Sequence, residues 1–134
     1  MKQSRGITAP SGDRLDCNQI ADLVSQLSPK SRGNAADLQT QVANLLGSLG
    51  FQVRWEVPVS DRGDGKTGYL DLVARKDGFT VAIELDCVKP RKKSLMKLRA
   101  YRCDFRLVVL RRGAERIPDL FEGIDMVLRL GWPR

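Results

Sequence analysis

The hydrophobic period of the chain changes at Gly50, and that change restricts the fold more than any other feature. Upstream, Leu38, Val42, Leu45, Leu46 and Leu49 recur at three- and four-residue intervals. This spacing predicts an amphipathic helix opened by an Asn34 cap and closed by Gly50 in the left-handed conformation. Downstream, Phe51, Val53, Trp55 and Val57 alternate with polar residues, which predicts a half-buried strand with Trp55 in the core. Two further strands, Tyr69 to Arg75 and Thr80 to Asp86, flank Asp77-Gly78, a hairpin-turn dipeptide, and are expected to be antiparallel. Pro90 suits the first turn of a helix carrying Leu95, Leu98 and Tyr101, and the β-rich run Phe105 to Leu110 returns to the sheet.

The order αβββαβ describes an α/β sandwich, a central mixed sheet of four to five strands flanked by helices. At 134 residues one globular domain is expected. Within it, residues 1–33 form an arm of about a dozen residues and a short helix from Asp13 with Leu15, Ile20, Leu23, Val24 and Leu27 on one stripe. The breaker cluster from Ser28 to Gly33 ends that helix. Residues 34–134 form the core, with a helical turn from Ile117 and a last strand, Ile124 to Leu130, near its end.

The chain contains no histidine, which excludes a Ser-His-Asp triad, a Cys-His pair, an HNH-type nuclease site and any His-ligated zinc. Hydrolytic chemistry must rest on carboxylates and lysines, with or without a metal. The three cysteines stand in no CxxC pair and read as reduced thiols. No segment has the apolar length of a membrane span, so a soluble, cytoplasmic protein is expected.

Strand alternation constrains the acids. In Thr80 to Asp86, Val81, Ile83 and Leu85 point one way while Glu84 and Asp86 share the other face. Pairing through the hairpin brings Asp71 towards the same surface. Each acid alone is compatible with an exposed residue paired to Lys or Arg. Their joint placement favours a shared site, since clustered carboxylates repel and are costly to desolvate unless a hard cation such as Mg²⁺ or Mn²⁺ accepts their oxygens.

The helix ending LLGSLGFQV, then GYLDLVARKDG, FTVAIELD and PRKKSLMKLRAY resembles the PD-(D/E)XK nuclease superfamily, whose restriction-endonuclease-like fold includes Holliday-junction resolvases. The resemblance runs from about Asn34 to Leu110. It implies that Asp71 and Glu84 are the motif acids, with Asp86 standing where the family has lysine, an ExD variant. It further implies metal ligation by Asp71, Glu84 and the backbone carbonyl of Leu85, with Asp86 either a further ligand or the partner that pairs with the replacing lysine and holds it in place. Lys93 on the following helix is the preferred replacement for the lysine, although Arg91 is better in phase with Leu95 and Leu98. Where relatives carry a helix glutamate, this chain has Gln39, with Asp37 nearby. The implied activity is metal-dependent hydrolysis of DNA phosphodiester bonds, on branched or junction DNA by analogy. The alternative is a catalytically inactive nuclease-like protein that binds nucleic acid.

The charge is uneven. Residues 1–88 carry 10 basic and 11 acidic side chains, net −1, while residues 89–134 carry 13 and 5, net +8. From Lys89 to Arg102, Lys89, Arg91, Lys92, Lys93, Lys97, Arg99 and Arg102 occur with no acid among them. This helix is the expected DNA-contacting surface. A competing reading makes it a solvated face on which Lys97 and Arg99 cover apolar surface. Symmetric substrates would suit a homodimer.

Overall fold

The computed structural model describes residues 10–27, 35–113, 116–117 and 121–130. Its elements are α1 (Pro10–Ser25), α2 (Ala35–Ser48), β1 (Gln52–Val59), β2 (Gly68–Lys76), β3 (Phe79–Asp86), α3 (Lys92–Ala100), β4 (Phe105–Leu110) and β5 (Met126–Arg129). The strands form one sheet in the order β1-β2-β3-β4-β5. The first three are antiparallel, and β3, β4 and β5 are parallel. The fold is therefore the expected α/β sandwich with a mixed five-stranded sheet. Among the described residues no helix is long and apolar enough to cross a membrane.

Local chemistry accounts for the turns. After α2 the Phe51 N–H donates to the Leu46 carbonyl and the Gly50 N–H to the Gly47 carbonyl, with Gly50 at φ 95°. That is a Schellman ending, as the sequence predicts. Asp77 and Gly78 both take positive φ (50° and 81°), the paired left-handed conformation of a type I′ hairpin turn.

Two expectations need correction at the helix starts. The helix α1 opens at Pro10, three residues before Asp13, because proline is tolerated where the N–H has no partner in the first turn. Pro90 lies outside α3, whose N-cap is Arg91 in an extended conformation (φ −82°, ψ 150°). The last strand is shorter than expected. The Asn34 cap, the 28–33 breaker cluster, the first nine residues and most of the turn after Ile117 lie outside the described residues.

The core has two layers. On one face α1 and α2, through Ile20, Val24, Leu38, Val42 and Leu46, pack on Leu72, Val81, Ile83, Leu85, Leu107 and Val109. On the other, Leu98 of α3 packs on Val57, Leu70, Val73, Ala82, Val108 and Leu110. Strands β3 and β4 keep strict alternation between the faces. Strands β1 and β2 do not: Leu72 and Ala74 face α2 while Leu70, of the same parity, faces α3, and Val53 and Val57 divide likewise. Both strands change phase at one level, between Trp55 and Val57 on β1 and between Leu70 and Leu72 on β2. Glu56 takes φ 52° there. Trp55, expected in the core, keeps the phase of Val53 but lies on the edge strand and is 46% exposed.

Candidate active site

The β2–β3 ladder runs from Lys76 opposite Phe79 to Leu72 opposite Ile83 and then opens. The next level holds Asp71 and Glu84. The Asp71 N–H donates to Glu84 Oε2 at 2.7 Å, and the Leu85 N–H donates to Asp71 Oδ2 at 2.8 Å. Each carboxylate thus replaces the main-chain acceptor that the opened ladder no longer supplies, which leaves neither N–H buried without a partner. Glu84 is fully buried and Asp71 partly so.

The cation that reaches this pair is Lys97. Its Nζ lies 2.6 Å from Glu84 Oε1 and donates to the Tyr69 carbonyl at 2.8 Å. Lys97 is thus the counter-charge of this buried oxygen. The lysine stem crosses β2 at Gly68, where a Cβ would stand 2.7 Å from Cδ and 2.8 Å from Cγ. Glycine at this position leaves room for the lysine to pass. Lys93, the preferred sequence candidate, is exposed one turn earlier on α3, and Lys97 occupies the place it was expected to take.

Glu56 completes the group, and sequence reasoning missed it. It lies at the β1 level facing Asp71, between the Trp55–Leu72 and Val57–Leu70 pairs. Gln39, expected near the helix-acid position, donates through Nε2 to Glu56 Oε2 at 3.1 Å and to the Asp71 carbonyl at 2.8 Å. Asp37 instead accepts from Gln41 on its own helix.

Burial raises the Asp71 carboxyl above its usual range, against the Leu85 N–H and Lys97, and the charge of Glu56 pushes it further up. Glu84 rises to about 7, first through burial and then through the charge of Asp71. Three acids here face one lysine.

Asp86 shares the buried face with Glu84, as alternation predicts, but its oxygens are directed at α3. Oδ2 accepts the Arg91 N–H at 3.0 Å. Oδ1 accepts Arg91 Nε at 2.7 Å and Ser94 Oγ at 2.9 Å. These bonds satisfy donors of the first turn of a helix that has no side-chain cap at its own N-cap residue. Of the two expected roles of Asp86, ligand or partner of a cation, the contacts are those of a partner, made to Arg91 rather than to a lysine, and they anchor α3. For Leu85, the group that meets the acids is its N–H.

The seven basic residues divide. Lys89, Arg91, Lys92 and Lys93 are exposed just before and in the first turn of α3, and of these Arg91 is paired to Asp86. Lys97 points inward. Arg99 Nε donates to the Glu122 carbonyl at 2.6 Å. Arg102 lines a cleft with Arg75, Gly78 and Thr80 at the hairpin end of the sheet, about 15 Å along β3 from Glu84.

Asp71, Glu84 and Glu56 are hard oxygen donors in excess over one lysine, a donor chemistry that suits a divalent cation. Among the described residues no three Cys, Asp or Glu side chains are already gathered at ligating distance.

No protein-family model matches the chain, and no curated protein matches it. Among solved structures, "Protein of Unknown Function AF1548" is similar over 55% of this chain and 45% of its own length, less than half, at 21% identity and a TM-score of 0.41.

Proposed function

We propose that this chain is a Mg²⁺- or Mn²⁺-dependent nuclease that hydrolyses DNA phosphodiester bonds, the activity implied by its resemblance to PD-(D/E)XK nucleases. The observation that carries the reading is the opened β2–β3 level, where Asp71 and Glu84 meet and Lys97 is aimed at them. A bound cation would supply Lewis acidity and a water more acidic than bulk. Asp71, Glu84 and Glu56 would hold it, and Gln39 orients Glu56.

Lys97 takes the part of the motif lysine. Fixed by Glu84 and the Tyr69 carbonyl, it offers a preorganised positive charge to the phosphate as negative charge accumulates on its oxygens. Asp86 holds the first turn of α3 and thereby the base of that lysine. Lys89, Lys92 and Lys93 contact the flanking phosphates. A second reading, nucleic-acid binding without cleavage, is favoured by one observation: Asp71 and Glu84 each already accept a backbone N–H.

Cleavage of supercoiled plasmid, linear duplex and branched DNA, with Mg²⁺, Mn²⁺ or EDTA, tests the proposal. Cleavage is expected with either metal and lost in EDTA. Asp71→Asn and Lys97→Met are each expected to lose about 100-fold or more of turnover at saturating DNA while retaining binding. Cleavage in EDTA, or full activity of Asp71→Asn, contradicts the proposal. Metal-independent binding without cleavage by the wild type selects the second reading.

A further inference from the structure

The exposed large apolar side chains among the described residues are Tyr69 at 51%, Trp55 at 46% and Val88 at 36%. The two aromatics are not scattered. In the β1–β2 register Trp55 stands opposite Leu72 and Tyr69 opposite Pro58, and the level between them carries Glu56 and Asp71. One ring lies a single level to one side of the acid pair, the other two levels to the opposite side. Both belong to the face towards α2. Trp55 has the parity of Val53, which packs on the α2 layer, and Tyr69 is the neighbour of Leu70, which faces the other way. Strand β1 is the sheet edge, so nothing in the sheet lies beyond Trp55. Trp55 keeps the phase of Val53 and is exposed on the edge strand.

Tyr69 is tied to the site by a second link, because its carbonyl accepts from Lys97, the ammonium that touches Glu84. Any molecule stacked on Tyr69 is therefore held within one residue of the lysine anchor.

We propose that Trp55 and Tyr69 are base-stacking platforms on either side of the acid pair, and that the chain prefers nucleic acid with unpaired nucleotides. Charge favours this occupant over a second copy of the chain, since two copies each of net +7 repel while a nucleic acid strand is attracted. The rings suit bases, which are neutral and present a π-face whatever their identity. Phosphates avoid the acids and reach Lys66, exposed in the β1–β2 loop. In an intact duplex the base faces are stacked on one another and cannot meet a protein ring. The proposal rests on the reading of this site as nucleic-acid-binding, but does not require that it cleave.

The test uses the full chain in a Trp132→Phe background, which leaves Trp55 as the sole tryptophan. A twelve-residue oligothymidylate and a twelve-base-pair duplex are titrated at one ionic strength without divalent metal, with Trp55 emission as one readout and anisotropy of a labelled strand as the other. The oligothymidylate is expected to quench Trp55 and the duplex to leave it unchanged. Trp55→Ala and Tyr69→Ala are each expected to weaken oligothymidylate binding about tenfold with duplex binding unaltered, and Trp55→Phe to restore most of the loss. Far-ultraviolet circular dichroism checks that the variants fold.

Equal effects on both probes, or none, overturn the proposal. So does emission that shifts with protein dilution alongside a dimer in sedimentation, which makes this edge an interface between copies. Selective loss in Trp55→Ala together with an Asp71→Asn variant that cleaves like wild type leaves the platform standing and defeats the nuclease site. Loss of cleavage in Asp71→Asn with unchanged oligothymidylate binding in both aromatic variants does the reverse.

Discussion

Glu84 concentrates the energetic conflict of the molecule, because a fully buried carboxylate beside a second acid is stable only with a proton or a counter-charge. Its pKa rises from 4.5 to about 7 on folding. The folded protein therefore binds more protons than the unfolded chain between those values, and stability falls as pH rises through that window. The shift sets the loss at roughly 3 kcal/mol, since each unit is worth about 1.4 kcal/mol. Glu84→Gln is expected to flatten this slope, so that the difference in denaturation midpoint between pH 5 and pH 8 shrinks. An unchanged slope would place the titration elsewhere. Asp71 and Glu84 were legible in the sequence because period-two alternation and one Asp-Gly turn determine where both lie. Lys97 was not, because its approach depends on a lysine stem crossing Gly68, a passage that no spacing rule describes. Glu56 stayed hidden because facing Asp71 depends on the β1–β2 register, which no short turn between those strands sets.

At the scale of elements, α2 and the hairpin were readable because single residues, Gly50 and Asp77-Gly78, carry the left-handed conformations that end them. The starts of helices were less so. Proline chemistry predicts that Pro90 opens α3, whereas the element is anchored from the preceding strand by Asp86, whose three hydrogen bonds fall on Arg91 and Ser94. The phase changes in β1 and β2 also escape alternation rules, which assume an unbroken period, and alternation does not say that β1 is the edge strand on which Trp55 is left exposed. Asp86 offers a test that separates anchor from ligand. Asp86→Ala is expected to lower stability by about 1–3 kcal/mol, the cost of lost capping and unpaired buried donors. Asp86→Asn, which keeps an acceptor on the helix, should recover much of that stability and retain cleavage within about tenfold of wild type. An Asp86→Asn variant as silent as Asp71→Asn, yet as stable as wild type, would restore Asp86 to the metal site.

For the whole molecule, the question is how much of the net +8 in residues 89–134 is free to meet a polyanion. Several of these cations neutralise nothing outside the fold. Arg99 is bound to the Glu122 carbonyl, Arg106 to the carbonyls of Leu98 and Tyr101, and Arg129, almost wholly buried, to those of Val88 and Arg112. They close loops and the end of α3. Arg91 shares its charge with Asp86, and Lys97 with Glu84. Of the seven cations from Lys89 to Arg102, this leaves Lys89, Lys92 and Lys93 as an exposed group before and in the first turn of α3, with Arg102 at the far end of the sheet. Each phosphate neutralised on duplex DNA contributes about 0.9 to the slope of log affinity against log salt. The wild type should therefore show a slope near −3, well short of about −6 for seven contacts. The double variant Lys92→Ala/Lys93→Ala should reduce the magnitude by about 2, and Arg102→Ala, at the far end of the sheet, should leave it unchanged. Duplex affinities measured between about 50 and 200 mM salt decide the matter. A wild-type slope near −6 that Arg102→Ala diminishes would mean that DNA runs along the length of α3 and that the internal hydrogen bonds of Arg99 give way to it.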